Sequence, residues 1–100
     1  MTNTDLTGAD LSDANLSHTY PKRANLSRAY LSRANLSGAN LTGAILSRAN
    51  LSGANLTGAI LSRATVSQTQ LDEACGTDVK LDPGLSLKGC LIPVEHRLPD

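Results

Sequence analysis

Apolar residues return along this chain at every fifth position. In "RANLSGANLTGAILSRANLSGANLTGAILSRA", residues 33–64, Leu recurs at that interval with Ala two places ahead of it and small polar residues between. Neither regular element has this period. Five residues of α-helix advance about 500°, so successive leucines would drift by roughly 140° and cover every face. A long flat strand puts Ala39 and Leu41 on one face but sends Leu46, an odd step away, to the other. The conflict disappears if the chain turns a corner once per five residues, each short side pointing one Ala and one Leu inward. The pattern predicts a solenoid.

Fourteen consecutive frames, centred on Leu6 through Leu71, follow one another without insertion. Leu fills twelve centres, Pro21 and Val66 being the exceptions, and Ala fills the position two earlier in all but the frames of Thr4, Thr19 and Thr69. Ser or Thr follows the centre except at Lys22 and Asp72. The next position is Gly in five frames and Arg in five. That free exchange predicts a corner with no requirement for positive φ. The residue before the centre is Asn in six frames, a side chain suited to local backbone hydrogen bonds at a corner.

Tandem A(D/N)LXX units, clearest in "ANLSGANLTG", resemble the pentapeptide-repeat proteins over residues 4 to about 75. The resemblance implies an all-β fold, a right-handed quadrilateral parallel β-helix (pentapeptide-repeat solenoid) with four pentapeptides in each coil. On that basis residues 1–75 form about 3.5 coils, roughly 17 Å tall at about 4.8 Å per layer, and residues 76–100 form a short irregular C-terminal cap. A period of 15 is also present: residues 29–43 recur as 44–58 with only Tyr30 replaced by Ile45. A three-sided coil would produce it, and so would duplication in three-frame units, because any multiple of five preserves the inward pattern. Pro21 bears on the choice. With four-frame coils the position beneath it is Met1, so its missing N–H is expected on the first rung of its column, where an edge tolerates it.

The frame weakens towards the C-terminus. "EACGTDVKLDP" keeps Ala74 but places Gly76 at a centre; Val79 and Leu81 restore one frame, and "PGLSLKGCLIPVEHRLPD" abandons the pattern. An open coil end leaves backbone groups unpaired. Leu85, Leu87, Leu91, Ile92, Val94 and Leu98 are available to cover it or to form a dimer contact, and the resemblance favours a homodimer through this end.

Composition narrows the chemistry. One hundred residues suit a single domain. Tyr20 and Tyr30 are the only aromatic residues, so an aromatic-lined pocket for a small-molecule substrate or cofactor is not expected. "MTNTDLTGAD" has no basic or apolar run, and no segment approaches a membrane span of about 18–20 apolar residues, so a cytoplasmic protein without membrane contact is expected. Cys75 and Cys90 are the only cysteines. Two thiols without a His pair do not make a zinc site. A disulfide between them is geometrically open, but a cytoplasmic setting favours reduced thiols. His18 and His96 read as surface residues. Ser and Thr recur as repeat positions, with no GxSxG elbow and no phosphate-binding glycine loop. No catalytic residue, metal ligand or cofactor is expected, and the chain does not read as an enzyme.

A net charge of zero conceals segregation. Residues 1–13 carry Asp5, Asp10 and Asp13; residues 14–71 carry Lys22 and five arginines with no acid; residues 72–100 carry six acids against three bases. With four-frame coils Arg28 lies beneath Arg48, and Arg23 shares the adjacent corner column with Arg63. Lys22, Arg23, Arg28, Arg48 and Arg63 thus form a candidate strip for binding an anion or partner, against the plainer reading of a solvated face. Some proteins of the resembled family mimic duplex DNA and occupy the DNA site of gyrase. Mimicry needs a strongly negative rod, because duplex DNA carries one charge per about 1.7 Å, and the middle of this one has the wrong sign. The expected function is a rigid, non-enzymatic solenoid presenting flat polar faces to a protein partner. A gyrase-directed DNA mimic is the alternative, and nucleic-acid or anion binding along the Arg strip is a weaker one.

Overall fold

The destinations of five N–H groups define the architecture. The structure is a computed structural model and describes residues 2–90. In its regular part the central Leu donates to a carbonyl of the following coil (Leu26 N–H to Ile45 O, 2.7 Å), and so does the corner residue (Arg28 to Ser47, 2.8 Å). The residue before the centre donates to the preceding coil, Asn25 to Thr4 at 2.9 Å. Ala closes the corner by donating to the preceding central carbonyl, Ala29 to Leu26 at 3.0 Å. The fifth N–H, that of Ser or Thr, is taken by the Asn side chain in the frames that carry Asn just before the centre: Ser27 N–H reaches Asn25 Oδ1 at 3.0 Å, and the Ser27 hydroxyl donates to the same oxygen at 2.7 Å. Asn before the centre therefore supplies the one acceptor that the coil itself lacks.

These bonds make parallel single-residue bridges, and each joins positions four frames apart: Asp5 to Asn25 to Ile45 to Thr65 in one column, Asn15 to Asn35 to Asn55 to Cys75 in another. Four five-residue sides close each coil. The three-frame repetition leaves no trace in the pairing. The sides are too short for extended strands, and the ladder consists of isolated bridges. Inside it stand Ala and Leu, from Ala24 to Ala74, with no polar residue buried among the described residues. Burial of each such Leu contributes about 1.5–3 kcal/mol. Leu6, Leu11 and Leu16, on the first coil, are only partly buried.

Three features differ from the expectation. The corner position is left-handed up to Arg63, at Arg23 (φ 54°), Arg28 (62°), Arg33 (59°), Arg48 (62°) and Arg63 (60°) as well as at Gly38 and Gly53. It loses that conformation only at Gln68 and Glu73, where the chain is helical. The bond from Ala back to the central carbonyl, with positive φ at the third of four residues, is the arrangement of a type II turn. Arg occupies it because the conformation is strained for an L-residue but allowed. The reading of Pro21 also fails. The central N–H points to the following coil, so the missing donor falls inside the stack. Among the described residues no backbone N–H reaches the Asn40 carbonyl, and that side is tied to the following coil by Asn40 N–H to Thr19 O (2.9 Å) and, at its corner, by Arg23 N–H to Thr42 O (2.9 Å). Third, the ladder continues past residue 75, through Ile60 to Lys80, giving four layers where 3.5 coils were expected. Gly76 holds a central slot because a Cβ there would stand 2.8 Å from the backbone of Leu56 and Thr57.

One side of the last layer is helical. α1, Gln68–Asp72, opens with a capping box in which Ser67 Oγ accepts from Gln70 N–H and Gln70 Oε1 accepts from Ser67 N–H. The helix turns the Ser67 and Gln70 carbonyls to Leu71 and Glu73, away from the coil below. Gln70 compensates with its side chain, whose Nε2 donates to Leu46 O (2.6 Å) and Ala49 O (3.0 Å). Ala49 thereby receives from a side chain the bond that a regular coil would draw from the backbone of residue 70. Beyond Leu81, Leu85 and Leu87 pack partly against the core. Leu91, Ile92, Val94, His96 and Leu98 lie outside the described residues.

Candidate functional site

The four-sided coil sorts the corner residues into four columns. The first holds Asn3, Arg23, Gly43 and Arg63; the second Gly8, Arg28, Arg48 and Gln68. Asp13, Arg33, Gly53 and Glu73 make the third, and His18, Gly38, Gly58 and Asp78 the fourth. Strained corners aim these side chains outward, so Arg23, Arg28, Arg48 and Arg63 are all exposed. Four of the five cations predicted as a strip thus bound one side of the solenoid, Arg23 and Arg63 along one edge, Arg28 and Arg48 along the other. Lys22 adjoins Arg23 from the neighbouring side.

Gly43 shapes the first edge. It leaves a gap between Arg23 and Arg63, and a Cβ there would come within 3.0 Å of Arg23 Cγ. Lys22, Arg23, Thr42, Gly43 and Arg63 line the resulting open notch of about 380 Å³. At the second edge Arg48 borders a cleft with Ser47, Thr65, Ser67 and Gln70, where α1 interrupts the ladder. Between the edges the outward column runs Asp5, Asn25, Ile45, Thr65, with Ile45 38% exposed.

The electrostatics divide the arginines into two kinds. Arg33, on the third corner, pairs with Asp13 one coil below through Nε to Oδ1 (2.8 Å) and Nη2 to Oδ2 (3.0 Å). The hydrogen bond from Arg33 holds the Asp13 carboxyl below the usual aspartate range, and Asp13 in turn raises the guanidinium. This is the one ion pair among the described residues. Among the described residues the cations of the basic side have no such carboxylate; Arg23 Nε donates to Asn3 Oδ1 at 3.3 Å. Asp5 is engaged locally, its Oδ1 accepting from the Thr7 hydroxyl (2.6 Å) and N–H, which lowers its pKa in that order of effect. Asp82 tempers the top of the first corner by accepting from the Arg63 N–H at 2.9 and 3.1 Å, a contact that sequence periodicity did not reveal.

Cys75 and Cys90 are joined in a disulfide, where reduced thiols were expected. His18 is exposed on the fourth corner, its ring over Gly38, and His96 lies outside the described residues. No metal-holding group of His, Cys, Asp and Glu occurs among the described residues, and none of their helices is long and apolar enough to cross a membrane.

Comparison with known proteins bears on what carries this side. A family model described as "Pentapeptide repeats (8 copies)" matches residues 1–20, 24–63 and 46–75. The chain belongs to the pentapeptide-repeat family. Two solved pentapeptide-repeat proteins are similar to it. With alr5209 from Nostoc PCC 7120 it shares 43% identity at a TM-score of 0.62, over 78% of this chain and 64% of that one. With Rfr23 from the cyanobacterium Cyanothece 51142 it shares 36% identity at a TM-score of 0.55, over 78% of this chain and 54% of that one. It therefore spans less than two-thirds of the length of either. A pentapeptide-repeat protein of the Arabidopsis thaliana thylakoid lumen shares 30% identity at a TM-score of 0.46, over 88% of this chain and 61% of that one. No curated protein matches. Membership in the pentapeptide-repeat family carries no enzymatic role to this chain.

Proposed function

We propose that this pentapeptide-repeat protein is a non-enzymatic interaction module, a right-handed quadrilateral β-helix whose basic side docks an acidic surface of a protein partner. As the family resemblance suggests, it pairs with a second copy through its C-terminal end. The observation that carries the reading is the set of exposed arginines on the two edges of one side, without carboxylate partners among the described residues, while Arg33 is neutralised by Asp13. Between them the outward column of Asp5, Asn25, Ile45 and Thr65 forms an open face rather than an enclosed cavity, which suits a macromolecular surface better than a small ligand. The same charges argue against imitation of duplex DNA.

The test uses a poly-glutamate peptide and a DNA duplex as probes at low and high salt. Binding of poly-glutamate that weakens with salt, and falls at least tenfold when Arg23, Arg28, Arg48 and Arg63 are replaced by Gly, supports the reading. Glycine suits these positions because it keeps their positive φ without strain. Tighter retention of duplex DNA than of poly-glutamate would move the reading to nucleic acid. Inhibition of gyrase supercoiling by the unaltered protein would move it to mimicry.

A further inference from the structure

The cover on the last coil is fastened at a single exposed covalent point. After Leu81 the chain turns back across the coil end, and there Lys88 O accepts from Gly76 N–H at 2.9 Å. In the regular coil that central N–H bonds to a carbonyl of the next layer, as Leu56 does to Cys75, so the tail stands in for a missing coil. Gln68 and Ser86 pair in both directions, each bond 3.0 Å, and Lys88 Nζ reaches the carbonyls of Asp72 and Ala74. The Gln68–Ser86 bonds and the Lys88 bond to Asp72 lie at exposed positions, where each is weak against water, whereas Gly76 N–H and the Ala74 carbonyl belong to buried residues that the tail shields. Cys90, itself exposed, ties the tail to half-buried Cys75 on the outer face, at a sequence separation of 15.

We propose that the Cys75–Cys90 disulfide is a reversible latch, opened by a dithiol reductant, and that opening it bares the Gly76 edge of the last coil. The exchange starts at the accessible sulfur. A thiolate of the reductant attacks Cys90 Sγ, the Cys75–Cys90 bond breaks, and Cys75 leaves as a thiolate that takes up a proton. The second thiol of the reductant then attacks the mixed disulfide and releases Cys90 as a thiol. Two electrons pass to the cysteines and the reductant ends as a disulfide. Closing a loop of this length shifts a docking equilibrium by about a hundredfold, so its loss frees the tail. The coils stay closed, because the Cys75 backbone keeps its bonds to Ala54 and Leu56 whichever state the sulfur is in. A bared edge of this kind is open to pairing with another extended chain.

This inference is independent of the basic side, and its test leaves that reading untouched. Amide hydrogen exchange is followed by NMR in the oxidised protein, after dithiothreitol, and in a Cys75→Ser/Cys90→Ser double variant. The latch predicts exchange at Gly76 and Ser86 at least tenfold faster after reduction, with Leu36 and Leu41 unchanged. The double variant should match the reduced protein and ignore dithiothreitol. Three results would overturn it: unchanged exchange at Gly76 in the reduced protein, core amides accelerating with Gly76, or a disulfide that dithiothreitol does not reduce while the coil is folded.

Discussion

Five arginines hold a backbone conformation that glycine adopts freely, and glycine fills the same repeat position in five other frames. The left-handed region costs an L-residue about 1–2 kcal/mol. Part of that returns through the lower unfolded-chain entropy of a non-glycine residue, about 0.5–1 kcal/mol. Replacing Arg28 or Arg48 by Gly should therefore raise stability by up to about 1 kcal/mol while removing a charge from the basic side. Urea unfolding measures the first effect and poly-glutamate binding the second. An Arg28→Gly protein that is less stable would mean that the arginine stem contributes more by packing than its backbone costs. The strain was not legible in the sequence, because Arg and Gly alternate where only the turn geometry, known from coordinates, separates their costs. The inward Leu and Ala were legible, since the period fixes them whatever the corner does.

At the scale of the element, the informative exception is α1. "SQTQ", residues 67–70, carries the Ser-x-x-Gln spacing of a capping box, a local signal masked by an unbroken five-residue count. Thr69 and Gln70 stand where Ala and Asn recur, and both are compatible with a helical turn. The helix diverts two carbonyls from the ladder, and the Gln70 side chain restores bonds to the coil beneath. Gln70→Ala removes the side-chain half of the capping box and those bonds, leaving the Gln70 N–H bond to Ser67 Oγ, and should cost about 2 kcal/mol in urea unfolding. Gln70→Glu keeps an acceptor for the Ser67 N–H but has no donor for Leu46 O and Ala49 O, so it too should destabilise measurably. A neutral Gln70→Glu would show that the side-chain bonds to the lower coil contribute nothing. Pro21 carries the complementary lesson: the position of its missing donor depends on which way the central N–H points along the stack, and periodicity is silent on direction.

For the whole molecule, everything follows from the number of frames that close a coil. Four places Arg28 under Arg48, Asp13 under Arg33 and Asn55 under Cys75; three would scatter all of them. The sequence supports both numbers through its repeated three-frame block, and the hydrogen-bond register decides between them. The basic side was legible only once four was assumed, whereas the Asp82 contact and the docking of residues 82–90 were not, because neither follows the repeat. Cysteine crosslinking measures the closure directly. Outward neighbours on adjacent layers lie about 4.8 Å apart, within disulfide reach. An Asn25→Cys/Ile45→Cys protein, altered at two positions that bridge in the ladder, should form the new crosslink nearly completely under mild oxidation, as peptide mass mapping would show. An Asn25→Cys/Asn40→Cys protein, altered three frames apart and on different sides, should form none. The reverse pattern would contradict the four-sided coil and, with it, the assignment of a basic side.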